Sequence, residues 1–268
     1  MKKTISLILF SSLLTSCGIA EKDRIYLPFH YGVPALSNNY ENQPITDYAV
    51  VIPLAHLPIL EAGKEDFILY VGQDERYCSD CQFAGTAIRE YIAKSKALIY
   101  YLDVTDYAIA SQLAKHYEGV YEFLGTPTIL FYQAGQIRYD HIGSSRLRSY
   151  LQVKNLIDGY TRKSSINYVF PPTNINSLFE EENYLFFLDY QKENASALFN
   201  SLKPVLSRRE KFYFIDWNYL AFELQNELST TYALDLAQGA CLNYAVDGKR
   251  INLSFNGENS SSFITLFG

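Results

Sequence analysis

The 268-residue sequence predicts an α/β protein built from two tandem copies of a central mixed sheet flanked by helices. Three observations point there. Short apolar runs of strand length alternate with longer stretches of helical character. The second half repeats the order of the first at a nearly constant spacing. The composition, 48% hydrophobic and 19% charged, excludes a disordered chain, and the length allows two units that each bury a core. Lys and Arg number 23 against 29 Asp and Glu, a net charge of −6 with no basic block, which excludes nucleic acid as a partner. The 23 tyrosines and 17 phenylalanines are read as core filling.

Met1-Lys2-Lys3 is a positive start, residues 5–14 are an apolar run, and Leu14-Thr15-Ser16-Cys17 closes it with small residues. The run falls short of the roughly 20 residues a spanning helix needs, so it reads as an export signal over residues 1–16. Leu14-Thr15-Ser16-Cys17-Gly18 resembles the bacterial lipobox. That resemblance implies a lipid on Cys17 and a chain tethered to the membrane at the extracytoplasmic face of a bacterial cell envelope. Residues 17–45, polar and turn-rich around Ser37-Asn38-Asn39-Tyr40, are expected to form a stalk, or to pack on the first domain.

The first domain, residues 46–162, opens with a strand at 67–71. Cys78 and Cys81 form a C-x-x-C where that strand gives way to a helix running through Tyr91 to Lys94. A second strand follows at 97–104, then a helix at 109–117. Gly125-Thr126-Pro127-Thr128 leads into a strand at 129–132, with a hairpin turn at Gly135. Histidines at 30, 56, 116 and 141 supply no second paired cluster at finger-like spacing, so neither a metal nor a cofactor is expected. A thiolate at a helix N-terminus is stabilised by unpaired N–H groups and the helix dipole, which makes Cys78 the attacking and Cys81 the resolving sulfur.

Strand, C-x-x-C, helix, strand, helix, Thr-Pro and hairpin in this order resemble the thioredoxin superfamily. The resemblance implies that Pro127 is cis beside the cysteines and that Thr126 offers its backbone to an extended substrate segment. Tyr77 stands where the family usually carries Trp and keeps an aromatic against the substrate. Two departures matter. The buried acid six residues before the first cysteine is Gly72 here, and the neighbouring lysine is matched by Ile99. Asp74, Glu75 or Asp80 remain as substitutes. Asp80, between the cysteines, is expected to raise the energy of the Cys78 thiolate and favour a reducing couple.

In the second half, residues 97–103 line up with 211–216 on Asp103 and Asp216, 113 positions apart. The same offset sets Gly239-Ala240 on Thr126-Pro127 and Gly248 on the hairpin glycine, Gly135. Residues 67–71 match 184–188 at an offset of 117, so about four residues are missing where cysteines would be. Asp189-Tyr190-Gln191-Lys192 fills that loop, and Pro204 falls late in the following helix. Residues 165–268 are therefore read as a second thioredoxin-like domain without redox cysteines, with Cys241 a buried structural thiol.

The resulting expectation is a membrane-anchored, extracytoplasmic thiol–disulfide oxidoreductase acting on cysteine-containing protein or peptide clients. A separate membrane protein would reduce or oxidise it. The alternative is a non-catalytic lipoprotein module that binds peptides and keeps Cys78–Cys81 as a structural disulfide. The missing acid at Gly72 favours that module or a slow enzyme.

Overall fold

A computed structural model of the protein describes residues 23–170, 173–206, 211–256 and 260–267. The export segment and Cys17 lie outside the described residues.

The first sheet joins β2 (Val50–Val51), β4 (Tyr100–Asp103), β3 (Phe67–Gly72), β5 (Thr128–Gln133) and β6 (Gln136–Ile142), in that order. β2, β4 and β3 are parallel, while β5 and β6 run antiparallel to their neighbours. β3 is buried along its whole length, as expected of a continuous apolar run at the centre of a sheet covered on both faces. Ile68 and Tyr70 point to one face, against Ala84, Ile88 and Ile92 of α2 (Ser79–Ser95) and Val153 and Ile157 of α4 (Tyr150–Tyr160). Phe67, Leu69 and Val71 point to the other, where α1 (Leu57–Ala62) and α3 (Tyr107–His116) contribute Leu57, Leu60 and Leu113.

The second sheet has six strands: β1 (Ile25–Tyr31), β7 (Thr161–Val169), β9 (Phe212–Asp216), β8 (Tyr184–Leu188), β10 (Ala240–Val246) and β11 (Lys249–Ser254). From β7 onward it repeats the order and directions of the first sheet. Its helices are α5 (Glu193–Leu206), α6 (Phe222–Tyr232) and α7 (Ser260–Phe267). Register refines the sequence alignment. Gly72 pairs with Asp103 and Leu188 with Asp216, so β3 and β8 are offset by 116 rather than 117, and three residues rather than four are missing from the loop. The two hairpin turns, Ala134-Gly135 and Asp247-Gly248, both take two successive positive φ values, 50° and 74° against 50° and 73°. That conformation suits the twist of a two-residue hairpin and requires the second-position glycine.

One expectation is corrected. Residues 25–31, assigned to the polar stalk, are a strand that pairs with β7 in parallel. Ile25 and Leu27 are buried, and the apolar run Ile25-Tyr26-Leu27-Pro28-Phe29 has strand length, a signal outweighed by the polar, turn-rich residues that follow it. The strand also touches the first unit, where His30 N–H donates to Lys96 O (2.8 Å) and Leu98 N–H to Pro28 O (2.9 Å).

A continuous core joins the two sheets. Phe186, Phe199 and Phe214 of the second unit belong to the same apolar cluster as Leu69, Tyr100 and Leu130 of the first. Polar contacts reinforce the joint. Lys203 Nζ lies 2.6 Å from the buried Glu65 carboxylate, Tyr168 donates to the same oxygen at 3.1 Å, and Asn200 donates to Gly63 O at 2.6 Å. Many of the tyrosines are consumed in this core, as the composition suggested.

Candidate functional site

Cys78 and Cys81 are joined in a disulfide, with Cα atoms 5.1 Å apart. β3 ends at Gly72, a loop carries the chain past Tyr77, and Cys78 caps α2. The cap is made by sulfur: Cys81 N–H donates to Cys78 Sγ at 3.1 Å, so the first cysteine already sits among the unpaired N–H groups of the helix start. Cys78 is half-buried and Cys81 fully buried. An incoming sulfur therefore reaches Cys78 first, and only an open mixed disulfide brings Cys81 into play.

Pro127 follows a cis peptide bond from Thr126, as the sequence implied, and leads into β5. Thr128 pairs with Val71, so the start of β5 and the end of β3 meet at the end of the sheet that holds the disulfide. Gly143 N–H donates to Pro127 O at 2.8 Å, hooking the loop after β6 onto the proline. Tyr77 is 74% exposed, with the Arg76 guanidinium 5.6 Å from its ring centre. Phe83, one turn into α2, is half exposed, and Leu124, three residues before Pro127, is exposed.

The position of the missing acid is filled by aromatic groups. A Cβ on Gly72 would stand 3.0 Å from the Tyr70 hydroxyl and 3.1 Å from the Tyr101 ring. The Tyr70 hydroxyl reaches Cys81 O at 3.5 Å, and burial pushes its pKa far above the ordinary tyrosine value. The three candidate substitutes have separate fates. Asp74 is partly buried and chelated by Arg76, whose hydrogen bonds hold its pKa down to about 2. Glu75 pairs with Arg89, which is completely buried in α2; burial raises the Glu75 carboxyl above its usual range against the pull of that guanidinium. Asp80 turns toward the loop after β6, where Ser144 donates to its Oδ1 at 2.7 Å. An open groove lined by Glu41, Asp74, Glu75, Gln82 and Asp103 runs beside the site.

Sequence reasoning missed Ser144, Arg148, Arg89 and Tyr70. Ser144 and Asp80 are 64 positions apart and carry no shared motif, so only the fold brings them together. Among the described residues there is no cluster of His, Cys, Asp and Glu fit for a metal, and no helix is long and apolar enough to cross a membrane. Cys241 is buried, as expected, and burial pushes its thiol pKa up.

No protein-family profile and no curated protein matches the sequence. Among solved structures, the chain is similar to a point-mutant thioredoxin from Halobacterium salinarum, at 21% identity over 45% of this chain and 95% of that one, with a TM-score of 0.33. It is similar to the zinc-bound form of human ERp44 at 11% identity, covering 82% of this chain but only 56% of that one, with a TM-score of 0.32. A thioredoxin from Plasmodium falciparum matches at 16% identity over 42% of this chain and 99% of that one, TM-score 0.32. By strand order, by the C-x-x-C disulfide at the start of α2 and by the cis Thr126–Pro127 bond, the chain is a thioredoxin-fold protein.

Proposed function

We propose that the protein is a thiol–disulfide oxidoreductase acting on cysteines of protein or peptide clients, held by lipid on Cys17 at the extracytoplasmic face of a bacterial membrane. One observation supports the redox reading above the others: a disulfide whose half-exposed sulfur caps a helix and whose partner is buried behind it. A purely structural bridge has no need of that asymmetry. In the reducing direction the Cys78 thiolate attacks a client disulfide, forming a Cys78–client bond and expelling one client thiolate. The Cys81 thiolate then attacks Cys78 Sγ and expels the second client thiolate. The client gains two electrons and the pair ends as the Cys78–Cys81 disulfide; in the oxidising direction the same steps run backward. Thr126, before the cis bond, and Tyr77 flank the path by which an extended client segment would lie against Cys78. A separate membrane redox protein would reset the pair.

The test is the redox equilibrium of the chain from Gly18 onward, which keeps every described residue, read by alkylation and mass spectrometry across a glutathione or dithiothreitol series. The reading expects a potential between roughly −270 and −120 mV and a Cys78 thiol more acidic than the ordinary value of about 8.5. A disulfide that resists reduction below about −300 mV, with Cys78 reacting as an ordinary thiol, would instead support the peptide-binding module.

A further inference from the structure

We propose that Ser144 and Arg148 are positioning residues: they hold the Asp80 carboxylate at the mouth of α2 and thereby set how readily Cys78 reacts. The inference rests on the oxidoreductase reading for its purpose, though not for its measurement.

Asp80 lies between the two cysteines, in the first turn of α2. Its carboxylate and the Cys78 thiolate compete for the same positive helix end, and each raises the energy of the other. What distinguishes this site is the brace on that carboxylate. Ser144, only 5% exposed, donates its hydroxyl to Asp80 Oδ1 at 2.7 Å. Arg148 donates to Ser144 Oγ from Nε and from Nη2, each at 3.3 Å, and its Nη2 stands 3.7 Å from the same Asp80 oxygen. The guanidinium also lies 5.7 Å from the centre of the Phe83 ring, one turn further along α2.

The brace is itself anchored. Leu147, between its two members, is buried, and its N–H closes a turn on Ser144 O at 2.9 Å. Gly143, immediately before Ser144, is bonded to Pro127 O. One short loop thus touches the proline on one side and the acid of the C-x-x-C on the other. Of the other charges near the site, Asp74 pairs with Arg76 in the loop before Cys78 and Glu75 with Arg89 of α2, while Glu41 and Asp103 line the neighbouring groove. Arg146 lies on the brace loop itself, and His141, near the end of β6, stands 3.5 Å from Ser145. Among the described residues, Arg148 is the cation within 4 Å of the Asp80 carboxylate.

The sign follows. With the brace intact, a hydrogen bond and a positive charge satisfy Asp80, and less of its field falls on Cys78. Without it, the thiolate is less stable, Cys78 reacts more slowly at neutral pH, and the couple becomes more reducing. Asp80 and Arg148 are each at least half exposed, so solvent screens the effect and the shifts are modest.

The experiment is a pH titration of Cys78 alkylation in the reduced full chain in detergent. Fragment masses separate Cys78 from Cys81, which lies on the same tryptic peptide, residues 77–89, and peptide masses separate both from Cys17 and Cys241. The variants are R148M, S144A, D80N, D80N/R148M, D80N/S144A and the charge-keeping R148K, each first checked for a wild-type melting curve. R148M and S144A are expected to raise the Cys78 pKa by about half a unit, about a threefold loss of thiolate below it, while D80N lowers it and R148K stays near wild type. In the D80N background the effects of R148M and S144A should fall below about a third of their wild-type size, because the brace then has no anion to hold. Equal shifts with and without Asp80, or no shift at all, overturn the proposal. Chemically reduced Cys78 titrates whether or not the chain turns over a client. A disulfide too stable for glutathione would therefore defeat the oxidoreductase reading while the Asp80 coupling is still measured.

Discussion

The joint between the two units makes a quantitative claim through Lys203. Glu65 lies in the loop before β3, with a side chain only 4% exposed, and Lys203 reaches it from α5 at 2.6 Å with Tyr168 as a second donor. The lysine stem passes Phe199, its ammonium 5.1 Å from that ring centre. Lys203→Met keeps the apolar stem and removes the charge, leaving a buried carboxylate without its cation. Losing one partner of a buried pair costs about 3–5 kcal/mol, and at roughly 2–4 °C per kcal/mol in a chain of this size Tm should fall by about 10 °C. The penalty has a pH signature. Burial raises the Glu65 pKa in the folded state above its ordinary value of 4.5, against the pull of Lys203, and without Lys203 it rises further. A carboxyl whose folded pKa exceeds its unfolded one contributes stability that is fully present below the unfolded pKa and lost as pH rises through the folded pKa. The K203M deficit is therefore greater at pH 7.5 than at pH 5, because the raised pKa lets the acid take up its proton as the pH falls. Urea and thermal unfolding of wild type, K203M, E65Q and E65Q/K203M at both pH values reads this directly, with the double variant regaining most of the loss. A K203M deficit below about 1 kcal/mol at pH 7.5, or one indifferent to pH, refutes the reasoning.

Two further outcomes follow from burial and packing. Gly85→Ala in α2 drives a Cβ into the Glu75 carboxylate, which neutralises the fully buried Arg89; it should destabilise by about 2–3 kcal/mol in urea unfolding although alanine is the better helix former. Cys241→Ser places a hydroxyl at a fully buried site that Ser254 reaches only at 3.8 Å; it should cost roughly 1–3 kcal/mol while leaving the Cys78–Cys81 redox titration unmoved, and native Cys241 should alkylate only at the rate of unfolding.

Much of the first unit was legible because its signals are local. The run 67–71, the cysteine spacing and Gly-Thr-Pro-Thr each depend on residues within a few positions of one another, and β3, α2 and the cis bond lie where those residues set them. The repeat was legible through Asp103 and Asp216 and through the hairpin turns, because a two-residue turn with two positive φ values admits few sequences. The β3–β8 offset was wrong by one because an apolar run matches itself almost equally well when shifted, and only strand pairing decides it. β1 was missed because its short apolar run is followed by polar, turn-rich residues and its partner, β7, lies far along the chain. The same distance hid Ser144 and Arg148 from Asp80 and Lys203 from Glu65. Contacts between remote segments leave no periodicity to read.

The second unit explains its own lack of cysteines. Asp189 follows β8, three residues are missing from the loop beyond it, and the shortened loop folds back on the position that matches Thr126. Asp189 N–H donates to Gly239 O at 2.7 Å, so the chain itself occupies the carbonyl that stands 113 positions after that of Thr126. Asn218 locks the arrangement, accepting from Tyr190 N–H and donating to Asp189 Oδ1, each at 2.9 Å. The Tyr190 ring thus directed lies against Gly63 of the first unit, where a Cβ would come within 2.8 Å of it. Space that could hold a client in one unit is closed in the other and turned into the joint between them. Asn218→Ala should cost about 1–3 kcal/mol by leaving the Tyr190 amide without its acceptor. It should also speed hydrogen exchange at residues 189–192 and around Gly63 together, since one contact holds both. Faster exchange at 189–192 with Gly63 unchanged would show that the loop and the joint are independent, and that the closed site does not serve as the docking surface.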